Sequence, residues 1–127
     1  MAKILVIDDD KDIVEIVKYI AAQDGHEVTQ ASNGRQGFES ALSNRPSLII
    51  LDIMMPEMDG YTLNTKLLAT PSTQAIPVIV LTAKGGKMRE AFLPAANVRA
   101  YMSKPFEPDD LLAEIRSAMA ASARPNP

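Results

Sequence analysis

Apolar residues along this chain alternate between short unbroken runs and stripes at helical spacing. The run Lys3–Ile7 ("KILVI") is continuous and rich in β-branched residues, as expected of a strand. From Asp12 onward the pattern changes: Ile13, Ile16, Val17 and Ile20 recur at helical spacing and predict a helix. "DGHEV", around Gly25, ends that helix and opens a second strand running into Thr29. In "SNGRQG", Asn33 with Gln36 three residues later has the form of a capping box, and Phe38, Ala41 and Leu42 predict the buried stripe of the helix it starts. Residues 47–51 ("SLIIL") form a third strand, and Asp59 is placed to cap a third helix carrying Leu63, Leu67 and Leu68. A fourth strand covers 76–81 ("IPVIVL"). A glycine-rich stretch, 84–87, leads into a short helical segment near 88–93, and "RAYM" at 99–102 is a weaker fifth strand. Pro108 suits the first turn of a last helix with Leu111, Leu112, Ile115 and Met119 on one face.

Five strand–helix units in succession imply an α/β fold, a mostly parallel sheet with helices on both faces. Right-handed crossovers then bring the carboxyl ends of all the strands to one edge, where ligands bind in such sheets. The 127 residues, 46% hydrophobic and 23% charged, suit one domain with one core. No repeat or second core is visible, so the domain is assigned to 1–121, with 122–127 as a tail or the start of a linker. A net charge of −3 offers no general basic footprint for nucleic acid. Lys84, Lys87 and Arg89 read as a solvated face, and the methionines as core and surface filler. The absence of cysteine excludes disulfides and thiolate metal sites. Apolar runs are of strand length, short of the roughly 20 residues of a membrane helix, and acids follow the first run at once, unlike a signal peptide. A cytoplasmic location without membrane contact is expected.

The chemistry lies in the residues at the strand ends. The first strand runs into Asp8, Asp9 and Asp10, the third into Asp52, the fourth into Thr82, and the fifth into Lys104 and Pro105. Carboxylates held together repel, so ionisation is costly without a cation. Oxygen ligands of this kind favour Mg²⁺. A metal, a lysine and a hydroxyl around one carboxylate make a receptor for a phosphoryl group, and a carboxylate can itself be the nucleophile that accepts it. Blander roles are available: Asp10 or Asp12 serving a helix N-terminus, Asp52 as a buried acid paired with Lys104, Tyr101 as packing, and His26 as a surface residue.

"IDDD", "LDIMMPEMDG", "VIVLTA" and "YMSKPF" together resemble the motifs of response-regulator receiver domains, the chemotaxis-protein-Y-like family, and the resemblance runs from Lys3 to about Met119. It implies a three-layer, flavodoxin-like, doubly wound (βα)5 fold with strand order 2-1-3-4-5. It implies a phosphoacceptor switch of two-component phosphorelay signalling, supplied by a histidine kinase or phosphotransfer protein and not a turnover enzyme. By position, Asp52 is the implied phosphoacceptor. By the same resemblance, Asp9 would bind Mg²⁺ directly, Asp8 would help through water, and Met54 would offer its backbone carbonyl. Thr82 would bind the phosphoryl oxygen and move inward, Lys104 would pair with the phosphoryl group, and Tyr101 matches the aromatic switch. Ala83 is small where phosphodonors approach, and Pro105 follows the lysine, often through a cis bond. Three departures stand out. Ala96-Asn97-Val98 replaces the family's frequent Ala-Gly-Ala, and Asn tolerates a left-handed backbone there. Pro94 should shorten or kink the fourth helix. Arg99 and Ala100 stand where many DNA-binding members carry an acidic pair used in dimerisation, which leaves the output partner open. Two other readings compete: a non-phosphorylated pseudo-receiver, and a Mg²⁺ phosphohydrolase of the haloacid-dehalogenase type, for which "DDD" contains Asp-x-Asp but no threonine follows at the expected place.

Overall fold

The computed structural model describes residues 2–53, 60–82 and 97–123. The elements are β1 (Lys3–Ile7), α1 (Lys11–Ala22), β2 (Glu27–Ala31), α2 (Gly34–Asn44), β3 (Leu48–Asp52), α3 (Gly60–Ala69), β4 (Val78–Thr82), β5 (Val98–Ser103) and α4 (Pro108–Ala123). The Asp59 cap, the glycine-rich stretch, the short helical segment near 88–93 and Pro94 lie outside the described residues. The five strands form one parallel sheet in the order β2-β1-β3-β4-β5, as the family resemblance implies.

Alternation along the strands divides the core in two. Ile4, Val6, Leu48, Ile50, Ile79 and Leu81 face α1 and α4, where they meet Val17, Ile20, Leu111 and Ile115. Leu5, Ile7, Ile49, Leu51, Val78 and Val80 face the other way, against Ala41 of α2 and Leu63 and Leu67 of α3. All five residues of β3 are buried, because helices cover both faces of the central strand. Each fully buried Leu, Ile or Val side chain here contributes about 1.5–3 kcal/mol on leaving water.

The helix starts are local chemistry. The Asp10 carboxylate caps α1 by accepting the Asp12 N–H at 2.9 Å. Asn33 caps α2 by accepting the Gln36 N–H at 2.9 Å, and Gln36 reaches back to the Ser32 N–H at 3.1 Å, one residue earlier than an ideal capping box. Gly25, at φ +75°, takes the left-handed turn that ends α1 and leads into β2.

Several expectations need correction. Leu42 is not buried but 38% exposed; Ile16, at helical spacing with the buried residues of α1, is 41% exposed. On α1 the buried line is Val14, Val17, Ile20 and Ala21, with Ile13 at its margin and Ile16 turned outward. On α2 it is Gly34, Gly37 and Ala41. Small residues win there because α2 lies directly on β1: a Cβ on Gly37 would come within 2.6 Å of the Ile7 Cδ1. The third strand includes Asp52, which pairs in register with Leu81, and the fourth starts at Val78, two residues later than expected. His26 is not simply a surface residue. Its ring is half-buried, and Nδ1 is shielded from solvent without a hydrogen-bond partner among the described residues.

Candidate functional site

Each group at the site is delivered by the end of a strand. Asp8 follows β1; its N–H continues the ladder by donating to the Ala31 carbonyl at 3.0 Å. Its Oδ1 accepts the Asp10 N–H at 2.9 Å, which fixes the carboxylate plane at the mouth of α1. Asp52 is the last residue of β3. Lys104 follows β5, and the Lys104–Pro105 bond is cis. Asp8 and Asp52 are 2% and 4% exposed, whereas Asp9 is open to solvent. One carboxylate oxygen from each of the three acids lies within 4.8 Å of the others.

Lys104 sits between the two buried acids. Its Nζ donates to Asp8 Oδ2 at 2.9 Å and lies 3.4 Å from Asp52 Oδ2. Burial pulls the ammonium towards its neutral form, but the Asp8 hydrogen bond and the charges of Asp52 and Asp8 outweigh it, so its pKa is raised. The lysine therefore stays charged and offsets part of the repulsion between the acids. Three carboxylates against one ammonium still leave a formal charge of −2 at the sheet edge. An all-oxygen donor set with that residual charge fits a hard divalent cation such as Mg²⁺.

Gly60 contributes something that its place at the end of "PEMDG" does not reveal. A Cβ at Gly60 would come within 2.8 Å of both the Asp52 carbonyl oxygen and the Ile53 Cα. The Gly60 N–H donates to the Ile53 carbonyl at 2.8 Å. The first turn of α3 is thereby seated on the backbone that presents Asp52. Tyr101 lies on β5, half-buried against the core on the α2–α3 side of the sheet. Thr82 ends β4, one strand over from Asp52, and its side chain lies outside the description, as do Met54 and Ala83. A second buried polar feature joins two residues that nothing along the chain links: the Asn64 and Asn97 side chains hydrogen-bond each other inside the protein.

A five-stranded parallel sheet in this order, with acids and a lysine gathered at its carboxyl edge, is the arrangement of a phosphorelay receiver. The chain belongs to the response regulator receiver domain family, whose model matches residues 4–116. It is 35% identical over 124 residues to the DNA-binding dual master transcriptional regulator RpaA of Synechocystis sp., an alignment covering 98% of this chain and 52% of that protein. The chain spans about half the length of the curated relatives it matches. The signal receiver domain of a histidine kinase from Syntrophus aciditrophicus superposes with a TM-score of 0.88 at 28% identity, covering 99% of this chain and 96% of that one. The receiver domain of the sensor histidine kinase PA1611 from Pseudomonas aeruginosa superposes with a TM-score of 0.84 at 27% identity, covering 94% and 98%, and that structure has a magnesium ion coordinated in its active-site cleft.

Proposed function

We propose that this receiver is a phosphoacceptor switch that takes a phosphoryl group from the phosphohistidine of a histidine kinase or phosphotransfer protein onto Asp52. The observation that carries the reading is the placement of Lys104 within reach of both buried carboxylates at the carboxyl edge of the sheet. A carboxylate oxygen of Asp52 forms the new bond to phosphorus as the bond from phosphorus to the donor imidazole nitrogen breaks. Lys104, already 3.4 Å from Asp52 Oδ2, turns one of its N–H groups to donate a hydrogen bond to the incoming phosphoryl oxygens. Asp8, Asp9 and Asp52 would hold Mg²⁺, with Met54 contributing its carbonyl by family resemblance. When bound, the ion neutralises charge on the phosphoryl oxygens and removes the repulsion among the acids. Thr82 and Tyr101 then report the modification as the family's switch residues, and Ala83 and Pro105 shape the approach.

An apolar groove of about 450 Å³ adjoins the site, lined by Ile13, Ile16, Tyr19, Pro105 and Phe106. Tyr19 is 73% exposed, so the groove is open to a partner. Its continuity with Pro105, next to Lys104, supports docking of the phosphodonor protein there, with the donor's reactive side chain brought to Asp52. Residues 1–121 are taken as the receiver unit, and its action is signalling without turnover of a substrate. Among the described residues no helix is long and apolar enough to cross a membrane, and a cytoplasmic location is part of the reading.

Incubation with a small acyl phosphate and Mg²⁺ tests the central step. Intact-mass spectrometry should show one added phosphoryl group, lost in Asp52→Asn and prevented by a chelator. An adduct that persists in Asp52→Asn would overturn the assignment.

A further inference from the structure

Apart from the acidic site, the buried polar side chains among the described residues are Asn64, Thr73 and Asn97. Thr73 serves its own turn, its hydroxyl donating to the Leu67 carbonyl at 2.7 Å. The two asparagines are different. They lie 33 residues apart, are 3% and 4% exposed, and bond reciprocally: Asn97 Nδ2 donates to Asn64 Oδ1 at 2.7 Å, and Asn64 Nδ2 to Asn97 Oδ1 at 3.3 Å. Neither residue is what its local position favours. Asparagine is a poor helix former, and Asn64 sits in α3 beside the buried Leu63. Asn97 stands where the family pattern often has glycine.

The elements they join lead to the two sides of the site, α3 to Asp52 and β5 to Lys104. Asn64 is about one helical turn from Gly60, which is seated on the Asp52 carbonyl. Asn97 immediately precedes β5, the strand that leads into Lys104. Its carbonyl also accepts the Val78 N–H at 2.8 Å, fixing the start of β5 to the start of β4. An apolar contact at this place would tolerate sliding of α3 along the sheet. A reciprocal amide pair has one register, and losing it strands buried donors and acceptors.

Resting on the phosphoacceptor reading above, we propose that Asn64 and Asn97 are positioning residues: their amide pair sets β5 against α3, and so sets Lys104 against Asp52. The test uses the full chain as parent, Asn64→Leu/Asn97→Gly, Asn97→Gly alone, and Arg116→Ala as a control that loosens the fold elsewhere. Three quantities are read: the urea midpoint, the rate of phosphorylation by acetyl phosphate with Mg²⁺, and the NMR shifts of the 101–103 amides on forming the beryllofluoride adduct. Removing both amides leaves no stranded group, so the double variant should fold. Its phosphorylation should slow about threefold to tenfold, and its adduct-induced shifts in β5 should shrink, whereas Arg116→Ala keeps the parent's rate and shifts. If the double variant does not unfold cooperatively, the same rate and shifts are read in Asn97→Gly. Parent-like rate and shifts in the folded variant overturn the proposal while leaving Asp52 as acceptor. A parent that takes no phosphoryl group overturns the functional reading, and this one with it.

Discussion

Lys104 has two acidic partners and a single charge to share between them. Asp8 and Asp52 are nearly solvent-free, so neither carboxylate gains much from water. Truncating one partner of a buried ion pair typically costs about 3–5 kcal/mol, because a buried charge is left uncompensated. Lys104→Ala should therefore lower stability by about 3 kcal/mol in urea unfolding with chelator at neutral pH. Millimolar Mg²⁺ should recover part of that loss, because without the ammonium the acids bind the cation more tightly than in the parent and gain more by mass action. Urea midpoints of parent and variant that both ignore Mg²⁺ would argue against the acids as ligands. Gly60 makes the complementary case, in which the missing atom matters. With the Asp52 carbonyl and the Ile53 Cα each 2.8 Å from where a Cβ would stand, the backbone must shift to admit one. Gly60→Ala should cost about 1–3 kcal/mol in urea unfolding and should also slow phosphorylation by acyl phosphate, since the displaced strand is the one that carries Asp52.

At the scale of elements, α1 and α4 meet on one face of the sheet and are joined at the rim by Arg116 and Asp24. Arg116 Nε and Nη2 donate to Asp24 Oδ2 and Oδ1 at 2.8 and 2.9 Å, a two-pronged pair. The Arg116 hydrogen bond holds the Asp24 carboxyl below its ordinary pKa, helped by the charges of Arg116 and His26. A carboxyl depressed in the folded state contributes stability above its unfolded pKa, and that contribution fades as the pH falls through the lower folded value. Arg116→Ala should thus be less stable than the parent at neutral pH. The gap should close through and below the carboxylate range, about pH 4, as urea midpoints across that range would show. A gap independent of pH would mean that Arg116 acts through packing of its stem and not through Asp24.

At the scale of the molecule, the described surface is apolar beside the site. Ile16 and Tyr19 are exposed on α1, and with Pro105 and Phe106 they line the groove that adjoins Lys104. Two phosphodonors separate the roles of groove and site. A small acyl phosphate needs only the site, whereas a protein donor must also dock. Ile16→Asp and Tyr19→Ala should slow transfer from a phosphorylated kinase or phosphotransfer protein by about tenfold or more, the scale of losing an interface anchor. Both should leave the reaction with acyl phosphate near the parent's rate. Equal loss with both donors would place the defect in the fold and not in docking.

The sequence by itself determined what depends on neighbours along the chain. Asn33 and Gln36 announced the start of α2, the glycine at 25 announced the end of α1, and the unbroken runs announced strands covered on both faces. Four motifs in order announced the family, because the carboxyl ends of parallel strands must share an edge, so residues far apart in the chain could be assigned to one site. Tertiary structure alone decided what depends on packing between elements. The phase of α1 was settled by α4 and the sheet, which bury Val14 and Ala21 and leave Ile16 outside, although periodicity admitted both faces. The contact face of α2 was settled by Ile7, which leaves no room for a side chain at Gly37. Asn97 stood out in the chain only as a departure from the family's frequent glycine, and Asn64 did not stand out at all. Only the folded protein brings them together, since a buried amide finds its partner through space, across 33 residues of chain that carry no pattern linking the two.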